Sequence, residues 1–306
     1  MQRRFLDYFI LSLKGIAMGA ADAVPGVSGG TIAFISGIYE ELITTISNVN
    51  LSLITTLRKE GFKAFWNQLN GNFLVALLTG IVISFVSFMR LAKYLIENHP
   101  ILIWSFFFGL IVASIFFVGK QIQKWNLAVI ISLIAGALIA YYITTLPSMA
   151  NNDNPLFLFF AGAIAICAMI LPGISGSFIL VILGAYKTLS DALHDFDIKK
   201  ILIFAVGAVV GLLSFSRVLK WLFKNYHNIT LAILTGFIFG SLNKIWPWKK
   251  VLTWRTNSKG EQIPLLEESI LPFNFDGDSQ LTAALALMIV GFATIFILEK
   301  LGSKKQ

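Results

Sequence analysis

Charge is scarce in this chain. Lys, Arg, Asp and Glu make up 13% of 306 residues, about half the share of a soluble domain, near 25%. Cysteine occurs once, at Cys167, so no intrachain disulfide can form. That residue lies in an apolar run and reads as a small packing group, not a reactive thiol. The three histidines, His99, His194 and His227, fall in predicted loops. No cluster of residue types calls for a metal or a cofactor, and no constellation calls for catalysis.

What remains is apolar. Hydrophobic residues are 57% of the chain, and the mean hydropathy is +0.78. Apolar runs approach or reach the ~20 residues that span a bilayer. These features predict an all-α polytopic membrane protein, with the lipid bilayer as its surroundings. The net charge of +8 does not indicate nucleic-acid binding, because basic residues flank the apolar segments, as the orientation rule for membrane helices expects. The basic start and short apolar run of residues 1–20 lead straight into a motif instead of a cleavage site, so a removable signal peptide is not expected.

Two stretches break this apolar pattern. "DAVPGVSGGT" occupies residues 22–31 and "MILPGISGSF" residues 169–178. They belong to an internal repeat. A shift of 147 places Gly15, Pro25, Gly26, Ser28, Gly29, Gly37, Tyr39 and Leu42 on Gly162, Pro172, Gly173, Ser175, Gly176, Gly184, Tyr186 and Leu189. A shift of 127 places Gly80, Ser87, Arg90, Lys93 and Asn98 on Gly207, Ser214, Arg217, Lys220 and Asn225. A polar linker near 50–70 accounts for the different offsets.

The predicted halves are 1–146 and 147–306, forming one integrated transport domain. In each, a short apolar segment (5–20; 156–170) precedes the break and a second (30–46; 177–193) follows it. Three longer helices complete the half: 73–95, 101–118 and 126–146, then 199–223, 229–245 and 280–299. The short pairs read as re-entrant hairpins, since non-helical backbone at membrane depth is tolerated only under protein or beside a watery cavity. Three crossings per half put the second half upside down. The Lys/Arg bias agrees with both termini in the cytoplasm: Arg3, Arg4, Arg58, Lys59, Lys63, Lys120, Lys124, Lys224, Lys300, Lys304 and Lys305 fall on that side, and loop 147–154 has no Lys or Arg. The cytoplasmic membrane of a prokaryote is the expected location. The oligomeric state stays open.

Inverted repeats with discontinuous helices are the build of secondary transporters. Proline stops the preceding helix. Gly26 and Gly173 permit a tight turn. Ser28 and Ser175 suit helix caps. Gly29, Gly30 and Gly176, with Thr31 and Ser177, allow close approach to the unpaired N–H groups of a new helix, a setting that favours an anion. The alternative is a kink packed against its twin. Arg90 and Arg217, in matching "SF(M/S)R" contexts, are candidate partners of the anion; snorkelling to the interface is the alternative. Asp22 has no twin, because Met169 stands in its place. It is a candidate proton carrier or a cap for nearby N–H groups, with Glu41 the second candidate carrier. "GIAMG", "GAVVG" and "GFIFG" read as helix-packing faces.

"MGAADAVPGVSGGTIAFISGIYEELI" (18–43) and "AMILPGISGSFILVILGAY" (168–186) resemble the bacterial and archaeal family of polyprenyl-phosphate transporters, PopT-like proteins formerly catalogued as a domain of unknown function. The resemblance covers essentially the whole chain. It implies movement of undecaprenyl phosphate, the recycled lipid carrier of cell-wall polymer synthesis, from the outer to the inner leaflet. Moving an anion inward works against an inside-negative potential, so protons are a candidate coupling ion. Two other functions compete: a membrane-embedded lipid phosphatase, which would need a nucleophile and a general acid although no histidine lies near either break, and a carrier of other anions or small metabolites.

Overall fold

The computed structural model describes residues 4–22, 28–146, 149, 152, 154–256 and 262–303. Within that set, the side chains of 85, 86, 89, 90, 93, 255, 256, 263, 265, 266 and 297–303 are not described. The first half contributes α1 (Phe5–Asp22), α2 (Gly29–Ile35), α3 (Tyr39–Ser47), α4 (Ser52–Gln68), α5 (Gly71–Asn98), α6 (Pro100–Gly119) and α7 (Leu127–Thr145). The second contributes α8 (Pro155–Ile170), α9 (Gly176–Ile182), α10 (Ala185–His194), α11 (Ile198–Asn225), α12 (His227–Gly240) and α13 (Leu281–Ser303). Among the described residues, four helices are long and apolar enough to cross a membrane, or five if α9 and α10, bent by 109°, count as one span. Gly71–Ser84, Pro155–Ile170 and Leu281–Phe296 are shorter apolar stretches. The protein is a mostly helical polytopic membrane protein.

Helix starts follow local chemistry. The side chains of Asn126, Asn154 and Asp197 accept from the backbone N–H groups of Val129, Leu156 and Lys200. Each satisfies one of the donors that a helix start leaves without an intrahelical partner. Proline at the first position of α6 and α8 supplies helical φ where no backbone donor is needed.

Two departures from the expected all-helical plan have clear causes. The polar linker near 50–70 is a helix, α4, interrupted at Gly61 (φ 82°). Its exposed Leu51, Ile54, Leu57 and Phe62 accompany Arg58, Lys59 and Lys63, an apolar-and-basic mixture that helical spacing hides when only hydrophobic runs are sought. Inside the loop expected at 246–279 an antiparallel hairpin forms, Lys249–Thr256 (β1) against Gln262–Ser269 (β2). It is pinned to the helices by tryptophan. Trp248, 1% exposed, donates from Nε1 to the Ser279 carbonyl, and Trp246 donates to Ile270. Lys249 donates to the Lys244 carbonyl at 2.6 Å and shares Glu267 with Lys244, each at 3.5 Å. Burial pulls its ammonium down to about 8, with Glu267 opposing that fall.

The helices pack through glycine. A Cβ at Gly15 would strike the Leu77 carbonyl, and one at Gly80 that of Ser12, where α1 lies on α5. Where α8 lies on α11, Gly162 meets the Phe204 carbonyl and Gly207 that of Phe159. These four contacts are related by the offsets of the sequence match. The other seams cross between halves. Gly109 on α6 meets Met288 of α13, and Gly236 on α12 meets Leu133 of α7; Gly291 meets Phe106, and Gly136 meets Ile233. Lipid offers no hydrophobic gain for bringing helices together, so close backbone approach carries the association. Substituting Gly207→Leu is expected to lower the thermal unfolding midpoint in lipid nanodiscs, by overpacking of about 1–3 kcal/mol or more. Gly119→Ala, where a Cβ meets nothing within 4 Å, is expected to leave the midpoint unchanged.

Candidate functional site

The two breaks meet. Pro25 and Gly26 lie outside the described residues; the description resumes at Ser28, the N-cap of α2. Ser28 Oγ accepts from Gly30 N–H at 3.1 Å, and its hydroxyl lies 3.3 Å from the Met169 carbonyl and 3.4 Å from that of Leu171. Thr31 Oγ1 accepts from Gly173 N–H at 2.9 Å across 142 residues of sequence. Tyr39, buried at the start of α3, donates its hydroxyl to the Ile170 carbonyl at 3.2 Å. Each link serves a backbone group that its own broken helix cannot serve. Lipid supplies no substitute.

The described start of α2, after the first break, is internally satisfied. Asp22 Oδ1 accepts from Gly29 N–H at 2.7 Å, so of the two roles considered for this carboxyl the cap is present. Every residue of α2 is buried. A Cβ at Gly29 would strike the Asp22 carboxyl, and one at Gly30 the Ile170 carbonyl. The close approach that these glycines allow is thus made by the chain's own groups.

The second break is more open. Gly173 takes φ +88°, the left-handed conformation that glycine tolerates, and its α-carbon sits against the end of α12 near Phe237 and Ser241. Gly176 is buried against Ala165. Ser175 makes no capping bond to α9; its Oγ lies 2.8 Å from Ser177 Oγ, and Ser177 is exposed. The two halves therefore present unlike faces: a carboxylate-capped, buried helix start in one and a pair of hydroxyls in the other.

Of the remaining candidates, Arg217 and Glu41 lie apart from the breaks. Arg217 donates to the Val49 carbonyl at 3.1 Å, beyond the end of α3 farthest from α2. It closes the first hairpin there, with Lys220 donating to Asn48 Oδ1 at 3.1 Å. The side chain of Arg90 lies outside the described residues. Glu41 accepts from Asn70 Nδ2 at 3.1 Å, tying α3 to the start of α5. Sequence reading overlooked Lys14, which donates to the Ser36 carbonyl at 2.6 Å just past α2. A lysine inside the apolar run "LSLKGIAMGA" was the available signal. It also gave Tyr39 no role beyond its match to Tyr186. An apolar groove of about 220 Å³ lies between α6 and α13, lined by Phe108, Gly109, Val112, Met288, Ile289 and Phe292; it offers no polar group for a headgroup.

A family model described as undecaprenyl phosphate translocase-like (VCA0040-like) matches residues 18–263. The chain is 47% identical to a polyprenyl-phosphate transporter of Vibrio cholerae over 308 residues, covering 99% of this chain and all of that protein. It is 32% identical to a polyprenyl-phosphate transporter of Staphylococcus aureus over 256 residues, 77% of this chain and 85% of that protein. No solved structure matches it.

The bond between halves yields a clean test. Thr31→Val keeps the shape but strips the acceptor from buried Gly173 N–H, a loss of about 1–3 kcal/mol. The unfolding midpoint is expected to fall for Thr31→Val and to stay near wild type for Thr31→Ser, which keeps the oxygen.

Proposed function

The chain belongs to the undecaprenyl phosphate translocase-like family, and from that premise we propose how it moves a polyprenyl phosphate across the cytoplasmic membrane for lipid-carrier recycling. Residues 1–146 and 147–306 act as two inverted repeats of one transport domain, each with a re-entrant hairpin and three crossings, and both termini face the cytoplasm. The Lys/Arg bias supports this orientation. The phosphate engages the breaks while the polyprenyl tail stays in lipid. A membrane phosphatase is set aside, since the relatives are named transporters.

The observation that carries the mechanism is the contrast between the breaks. Around Gly173, Ser175, Gly176 and Ser177, hydroxyls are available to a phosphate; around Ser28, Gly29, Gly30 and Thr31, the chain's own oxygens already hold the donors. The phosphate enters at the second break and passes to the first, where it must displace the Asp22 carboxylate from Gly29 N–H. Gly26 belongs to the same turn by its place in the motif. Protonating Asp22 removes the competing charge and admits the phosphate. Arg90 and Arg217 act at the hairpin ends, and Glu41 is the second candidate for the proton.

Moving an anionic headgroup inward against an inside-negative potential costs about 2.3 kcal/mol per charge per 100 mV, and a co-transported proton offsets that cost. The test is uptake of a short-chain polyprenyl phosphate into proteoliposomes with and without an imposed pH gradient. Wild-type uptake is expected to follow the gradient. Asp22→Asn retains an oxygen for Gly29 N–H, so it folds, and its uptake is expected to ignore the gradient. A wild type indifferent to the gradient, or an Asp22→Asn protein that responds as wild type does, removes the proton from the mechanism.

A further inference from the structure

A phosphate held only by hydroxyls lacks a counter-charge, and Arg217 has its guanidinium on the Val49 carbonyl, beyond α3. One ammonium does stand at the second break. After α12 the chain makes a 3-10 turn, Ser241–Ile245, and that turn lies against the break. A Cβ at Gly173 would meet Ile238 and Ser241. Lys244 Nζ lies 4.7 Å from the centre of the Phe178 ring, and Phe178 directly follows exposed Ser177. The ring is held in turn by the cluster of Ala168, Ile174, Ile179 and Ile182.

The charges around Lys244 are uneven. Lys244 and Lys249 each reach Glu267 Oε2 at 3.5 Å, so among the described residues two ammonium groups meet one carboxylate. The two lysines are not equivalent. The Lys249 side chain is 11% exposed, anchored on the Lys244 carbonyl at 2.6 Å and over the Trp104 ring at 5.0 Å. Lys244 is 29% exposed, and its other printed neighbour is an aromatic face, which attracts a cation without neutralising it. Glu267 and Lys249 balance each other, which leaves Lys244 as the surplus charge. The repeat has no counterpart, because the offset of 127 takes Lys244 to Phe117. Trp104 lies beside the cluster and Trp246 follows the turn. Tryptophan is enriched at the depth of lipid headgroups, the depth at which a polyprenyl phosphate presents its phosphate.

We propose that Lys244 captures the phosphate headgroup of the incoming lipid, and that Glu267 of the hairpin holds Lys244 until the headgroup arrives. The proposal rests on the reading that the phosphate enters at the second break. On arrival the phosphate replaces the Glu267 carboxylate on Lys244, while Glu267 keeps Lys249. No charge is stranded at either stage, and a stranded charge away from water is what makes such exchanges costly. Lysine suits the task, being a point charge on a flexible stem that can turn from one oxygen to another. A cation–carboxylate pair that water reaches is weak, and a phosphate monoester carries nearly twice the charge of a carboxylate. The exchange therefore favours the headgroup without fixing it in place.

The test is binding to the full chain in lipid nanodiscs, titrated with farnesyl phosphate, with farnesol and with inorganic phosphate. Lys244→Met is expected to weaken farnesyl phosphate by about tenfold and to leave farnesol unchanged, and Lys244→Arg to recover most of the loss. Glu267→Gln keeps an oxygen for Lys249 and removes the competing charge, so it is expected to tighten farnesyl phosphate by about threefold. A salt bridge that only pins the hairpin gives the opposite pattern, since both substitutions break the same pair and both then weaken binding. That pattern, or an equal loss of farnesyl phosphate and farnesol in Lys244→Met, overturns the proposal. Inorganic phosphate that competes as strongly as the lipid assigns the cluster to a free anion and overturns the lipid headgroup. A variant carrying Ser175→Ala with Ser177→Ala separates Lys244 from the reading beneath it. If that variant weakens binding and Lys244→Met does not, the lysine alone is removed. If neither does, entry at the second break falls, and Lys244 with it.

Discussion

A helix broken inside a membrane leaves backbone donors and acceptors that neither lipid nor its own turn can serve. Here the two broken helices serve each other. Gly173 N–H finds Thr31 Oγ1, and the carbonyls of 169–171 receive the hydroxyls of Ser28 and Tyr39. The rest of the architecture follows from this exchange. The two breaks must therefore lie against each other. The long helices must pack closely without bulk at the seam, hence the glycines against carbonyls on α1–α5, α8–α11, α6–α13 and α7–α12.

That same exchange limits how an anion can be held. Unpaired amides at a helix start attract negative charge, but an amide already bonded to a carboxylate offers nothing until the carboxylate leaves. On the proposed mechanism, Asp22 converts an always-available site into a conditional one. The second break has no such guard, since Met169 replaces the aspartate and Ser177 stands exposed. A transporter needs sites that bind and release, and on that mechanism unequal breaks give the headgroup one easy place to arrive and one that must be unlocked.

Much of this was legible in sequence because apolar length and punctuation carry it. The helices expected at 73–95, 101–118 and 126–146 occur as Gly71–Asn98, Pro100–Gly119 and Leu127–Thr145, and α1 and α8 end at Asp22 and Ile170, shortly before the two motifs' prolines in sequence. α4 was missed because its apolar residues are few and mixed with cations. The hairpin at 249–269 was missed because its support, Trp248 and Trp246 docking on distant carbonyls, is tertiary. Arg217 was read as a partner of the anion because an arginine in an apolar helix signals cost; only the fold reveals that the chain after α3 supplies a carbonyl to meet it. Thr31 and Gly173, 142 residues apart, could be named separately from the motif, but their bond could not.

The glycine seams carry an evolutionary consequence. Gly80 and Gly207 face equivalent carbonyls, as do Gly109 and Gly236, so neither copy can enlarge these positions without breaking its own seam. Positions where the copies have parted are therefore the informative ones. Asp22 against Met169, Gly30 against Ser177 and Asn48 against Asp195 all sit at a break or a hairpin end, not in a seam. A duplicated chain with identical halves would have no intrinsic sense of direction. On the proposed mechanism, these substitutions are where this one has acquired a vector.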